Sequence, residues 1–135
     1  MKNYINLVLV ALLFTLSQVA RADGIAGLWS LVSGEYVDTE GELINYNRIG
    51  MKSIKVITDK HFSFTSMKGD AFWASATGTY EFTQGTYAET VGYNSFNVSP
   101  GSVFSFTSRI EGDFWYNARW EGEKRVEYEV WKRLE

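Results

Sequence analysis

The sequence predicts an all-β domain, an eight-stranded up-and-down antiparallel barrel, over residues 23–135. Three observations predict it. Past residue 23 apolar side chains recur at every second position, in runs of strand length, and no run has helical spacing. Most runs are joined by tight glycine-containing turns, the pattern of successive hairpins. Gly27-Leu28-Trp29 opens the first run and Trp131-Lys132-Arg133 closes the last. A meander of eight twisted strands closes on itself because closure removes exposed edges, so its first and last strands must meet.

In chain order, residues 27–36 form the first strand. Residues 37–50 carry Asp38, Glu40, Gly41 and Glu42 and read as a long loop, a length that favours a lid or binding loop. The second strand spans 51–58, with Ile54 and Val56 on one face; Asp59 and Lys60 turn the chain. In the third, 61–67, Phe62 and Phe64 alternate with Ser63 and Thr65, before a turn at Lys68, Gly69 and Asp70. The fourth, 71–83, puts Phe72, Ala74, Ala76, Gly78, Tyr80 and Phe82 on one face, and the mid-strand Gly78 marks a bend or close backbone approach. After Gln84 and Gly85, the fifth strand, 86–93, aligns Tyr87, Glu89, Val91 and Tyr93. A looser connection with the only proline, Pro100, leads to strands at 103–110, 114–120 and 125–133, separated by turns at Gly112 and Gly122.

The first 22 residues stand outside this domain. Lys2 precedes an apolar run over residues 5–16, the length of a signal-peptide core and short for a bilayer span. Ala20-Arg21-Ala22 fits the small-x-small cleavage pattern, so the mature chain is expected to start at Asp23, exported to the periplasm or secreted, with no stable membrane insertion after cleavage. Cleavage removes Lys2 and Arg21 and no acid, leaving 11 basic and 16 acidic residues and a net charge of about −5. That balance disfavours nucleic acid as a partner. There is no cysteine, so a hydrophobic core rich in aromatics must hold the domain without disulfides.

The chemistry-bearing residues are few. His61 is the only histidine and follows a turn, so it is expected to be exposed; with no cysteine, no metal or cofactor site is expected. There is no nucleophile elbow and no phosphate-cradling loop, so no enzyme is expected; an enzymatic alternative would use Glu89 with a tyrosine as acid and base. The aromatic face comprises Phe62, Phe64, Phe72, Tyr80, Tyr87, Tyr93, Phe104, Phe106, Phe114, Tyr116 and Tyr128, and lines a ligand cavity or fills the core. Glu89 shares that face. An inward carboxylate is either neutral or held by an arginine, a lysine or a tyrosine hydroxyl, and Arg109, Arg119 and Arg125 are the named candidates. If the face points outward instead, Thr86, Ala88 and Thr90 line the interior. Trp73, Trp115 and Trp120 fall on mixed or opposite faces and would form an outer patch or lie under the long loop.

Gly27-Leu28-Trp29, the eight meandering strands and Arg133 after Trp131 resemble the lipocalin-like members of the calycin superfamily. Gly78-Thr79-Tyr80, Tyr87-Ala88-Glu89 and Glu129-Val130-Trp131-Lys132-Arg133 are similar to small secreted bacterial lipocalin-like domains of unknown function. The chain departs from typical lipocalins in being shorter and in lacking a C-terminal helix and a disulfide. The resemblance implies that Trp29, on the strand that Gly27 opens, plugs the closed end, that Arg133 packs across it, and that a small hydrophobic or amphipathic molecule is bound. The alternative is a filled barrel acting as a structural or protein-interaction module of the cell envelope.

Overall fold

The computed structural model describes residues 24–83 and 85–135. The expected signal peptide at 1–22, the start at Asp23, and Gln84 of the expected turn lie outside the described residues. The strands are β1 (Gly27–Val37), β2 (Leu43–Asn45), β3 (Met51–Ile57), β4 (His61–Lys68), β5 (Ala71–Thr83), β6 (Thr86–Asn94), β7 (Val103–Glu111), β8 (Phe114–Glu121) and β9 (Lys124–Arg133). From β3 onward each pairs antiparallel with the next, and β1 pairs with both β3 and β9, closing an eight-stranded up-and-down barrel. β2 is the addition. It lies in the expected loop, and pairs with β1 at Glu35 to Val37, beyond the point where β3 leaves β1 at Ser30. Asp38 makes the turn, accepting the Glu40 and Glu42 amides on its carboxylate at 2.9 and 2.8 Å.

One end of the barrel is filled. Ile25, Trp29, Ile57, Phe62, Tyr87, Phe106, Trp115 and Trp131 form a buried cluster. Tyr87 and Trp115 meet edge to face at 4.8 Å, and Trp29 and Trp115 lie 5.2 Å apart. Trp29 is fully buried, and its indole N–H donates to the Ile25 carbonyl at 2.8 Å. The Arg133 guanidinium sits 4.2 Å from the Trp29 ring and donates to the Ala26 and Gly24 carbonyls at 2.6 and 3.0 Å. Gly27 permits this crossing, since a Cβ there would lie 2.3 Å from the Glu135 carbonyl oxygen. Gly78 is likewise a close approach: a Cβ would meet the Thr90 carbonyl oxygen at 2.0 Å.

Four bulges reset the alternation of side chains: at Val32 in β1, Trp73 in β5, Gly92 in β6 and Val126 in β9. They correct several expected inward residues. Phe72, 59 % exposed, lies beyond the Trp73 bulge, and Tyr93, 86 % exposed, lies beyond the Gly92 bulge; each extra residue moves its neighbour to the outer face. On β8, and on β9 past the Val126 bulge, the parity is the reverse of the expectation. Trp115 and Trp131 are a directly opposed cross-strand pair and both are buried. Sealing two indoles, the largest apolar side chains, places Phe114, Tyr116 and Tyr128 outside. Trp115 is therefore core and not part of an outer patch. β3 follows the same logic: Ser53, Lys55 and Ile57 are buried while Ile54 and Val56 are about 40 % exposed.

Trp29→Ala should cost about 3–5 kcal/mol, lowering the melting temperature by roughly 10–20 °C in a domain of this size. Thermal unfolding followed by circular dichroism checks this. An unmoved transition would mean that Trp29 does not close the barrel.

Candidate functional site

Above the filled end the barrel holds a cavity of about 360 Å³. Leu31, Val37, Met51, Phe64, Ala74, Val91, Phe104 and Phe106 make its apolar walls. Trp73 and Phe96, both partly exposed, stand at its outer part. Tyr46 covers it from the segment after β2. Its backbone N–H donates to the Gly34 carbonyl at 3.0 Å, and its ring packs 5.6 Å from that of Tyr36. Phe96 comes from the connection between β6 and β7, which Asn94 shapes by accepting the Phe96 and Val98 amides and donating to the Val98 carbonyl. It stacks on Phe64 at 6.3 Å.

The floor is charged, and Lys55 is its centre. The Lys55 side chain is 3 % exposed, and its Nζ donates to Glu89 Oε1 at 2.9 Å. The Tyr87 hydroxyl donates to the same oxygen at 2.8 Å. The rings of Trp131, Tyr87, Trp115 and Phe64 surround the ammonium at 4.8 to 5.7 Å. Glu129 Oε2 lies 3.8 Å from it and accepts the Trp131 indole N–H at 2.7 Å. Nearer the mouth, Arg119 Nε donates to Glu127 Oε2 at 3.0 Å. Ser66 donates to Ser53 at 2.8 Å, and Ser53 to the Thr65 carbonyl.

These groups perturb one another. Burial opposes charge on Lys55, but the Glu89 and Glu129 carboxylates outweigh it, and its pKa stands above the ordinary lysine value. Burial pushes the Glu129 carboxyl up to about 7 against the pull of Lys55, with Glu127 and Glu89 adding to the rise. Burial also raises the Tyr87 and Tyr46 phenols, the first helped by Glu89 and the second by Glu129 and Glu127. Among the described residues no group of three His, Asp or Glu side chains is arranged to hold a metal ion.

Of the expected residues, Phe64, Glu89, Phe104 and Phe106 meet around the cavity. Phe62, Tyr80 and Tyr87 belong to the filled end, where the Tyr80 hydroxyl donates to the Thr58 carbonyl at 2.6 Å. Phe72, Tyr93, Phe114, Tyr116 and Tyr128 are absent from the cavity lining, for the reasons of parity given above. Glu89 does point inward, but its cationic partner is none of the three arginines. Arg109 pairs with the exposed Glu111 at 2.7 Å, Arg125 with Glu35 at 2.8 Å, and Arg119 with Glu127. Lys55, Glu127, Glu129, Tyr46 and Phe96 were not anticipated. On β3 and β9 the polar residues alternate with Ile54, Val56, Tyr128 and Val130, so hydrophobic alternation points the wrong way. The one signal for Lys55 was indirect, the need of Glu89 for a counter-charge.

No family model, no curated protein and no solved structure matches this chain.

Glu89→Gln should destabilise the protein by about 3–5 kcal/mol, because it strands a buried ammonium. The double variant Lys55→Met, Glu89→Leu should cost less than that single change. Urea unfolding free energies decide it, and a double variant as costly as both singles summed would show that the two do not act as a pair. Glu129 has the opposite sign. Its folded pKa of about 7 exceeds the ordinary 4.5, so its contribution is fully present below about pH 4.5 and is lost as the pH rises through 7. Glu129→Gln should accordingly raise the melting temperature relative to wild type more at pH 8 than at pH 5.

Proposed function

We propose that this protein is an exported carrier or sensor of a small amphipathic molecule, on a lipocalin-like barrel of the calycin type. The observation that carries the reading is the 360 Å³ cavity, with largely apolar and aromatic walls and charged groups gathered on its floor and at Arg119 and Glu127. A site of that size and lining suits one small ligand, its apolar body on the walls and its polar end on the fixed charges. The Trp29 and Arg133 closure supports the calycin assignment, because it matches the end-plug expected from the resemblance. Export follows from residues 1–22, which precede the barrel. The alternative of a barrel filled throughout accounts for the Trp29 end alone, since packed side chains occupy that half only.

Native mass spectrometry of protein purified from its own host should show an added small-molecule mass lost on denaturation. In vitro, the neutral dye N-phenyl-1-naphthylamine should bind one to one with enhanced fluorescence. Ala74→Trp, which fills the cavity from its wall, should weaken the dye by about tenfold or more, equivalent to ~1.4 kcal/mol. Undiminished dye binding by that variant would place the ligand elsewhere and remove the support for the carrier reading.

A further inference from the structure

The charges inside the cavity do not balance. Three carboxylates line it, Glu89, Glu127 and Glu129, against two cations, Lys55 and Arg119. The short pairings use up both cations. Lys55 bonds Glu89 at 2.9 Å and Arg119 bonds Glu127 at 3.0 Å. Glu129 is left with Lys55 at 3.8 Å, beyond hydrogen-bond distance, and a single indole N–H from Trp131. Its side chain is 12 % exposed, and it lines the cavity. The titratable groups that act on it are Lys55 on β3, Tyr46 after β2, Tyr87 and Glu89 on β6, and Glu127 on its own strand.

We infer that the ligand carries a positively charged head, an ammonium group seated against Glu129, with an apolar tail along the aromatic walls. The inference rests on the cavity being a binding site. With Glu129 ionised, an anionic head would add to the excess negative charge, and a neutral head would leave that excess to be relieved only by protonation of Glu129. An ammonium cancels it and supplies the donors that the Glu129 carboxylate lacks. Phe96, beside Phe64 at the outer part of the cavity, adds apolar wall for the tail. Lys55 does not compete for an anionic head, because its ammonium is already enclosed by four rings and bonded to Glu89. Glu129 titrates near neutral pH, so a bound cation would hold it ionised, and binding would depend on pH through this group.

The test compares three probes with the same tail, decylamine, decanol and decanoic acid, by isothermal titration calorimetry on the wild-type protein at pH 8. Decylamine should bind at least tenfold more tightly than decanol, with decanoic acid weakest. From pH 6 to pH 8 decylamine stays protonated, as a lysine side chain does, and its affinity should rise as Glu129 ionises. Glu129→Gln should abolish that rise and bring the amine-to-alcohol ratio close to one. Equal affinities for amine and alcohol in the wild type would overturn the inference while leaving cavity binding intact. Preference for the acid would overturn it in favour of Lys55 and Arg119 as head-group readers. Failure of all three probes together with the neutral dye would remove both the inference and the carrier reading.

Discussion

A lysine ammonium among tryptophan, tyrosine and phenylalanine rings is a costly thing to fold around. Desolvation alone would discharge it or expel it. Lys55 stays because Glu89 bonds it directly, Glu129 lies just beyond, and four ring faces attract it. Much else follows from keeping that charge inside. Glu89 must face inward, which sets the parity of β6 and brings Tyr87 against the same carboxylate. Glu129 must face inward, which sets the parity of β9 and buries Trp131 beside it.

The same constraint divides the barrel in two. Below Lys55 the interior is close-packed, from Tyr87 and Trp115 down to Trp29 under Arg133. Above it, small or polar inward residues such as Ser53, Ser66 and Ala74 leave room that the aromatic walls do not fill. The Trp73, Gly92 and Val126 bulges lie toward this open end, at the start of β5, the end of β6 and the start of β9. Bulges bend strands and strengthen twist, which suits a wall that must widen into a mouth. Tyr46 and Phe96 then reach in from segments outside the ring, so the cavity is finished by the connections and not by the barrel alone.

Several of these features were legible in the chain. The strand runs, their turns, and closure between Gly27-Leu28-Trp29 and Trp131-Lys132-Arg133 all correspond to the observed ladders. The close approach at Gly78 and the inward Glu89 were also readable, since a mid-strand glycine and a carboxylate in an aromatic row are local signals. The position of Phe72 and Tyr93 was not. One extra residue in a strand reverses every side chain beyond it, and an unpaired residue carries no mark in the sequence. Nor was the parity of β8, where Phe114, Tyr116, Ala118 and Trp120 make the more apolar face and yet Trp115, Asn117 and Arg119 turn inward.

The amino-acid sequence by itself determined the fold class and the eight-strand meander, because period-two alternation and glycine turns act over short stretches of chain; the pairing of Trp29 with Arg133, at opposite ends of the chain, was implied only by the resemblance. Only the tertiary structure decided which charges meet. Lys55 and Glu89 are 34 positions apart and lie on strands that are not neighbours in the sheet. Their pairing exists only across the closed barrel, where the cost of an unpaired charge is high enough to override the outward pull that a lysine between Ile54 and Val56 would otherwise feel.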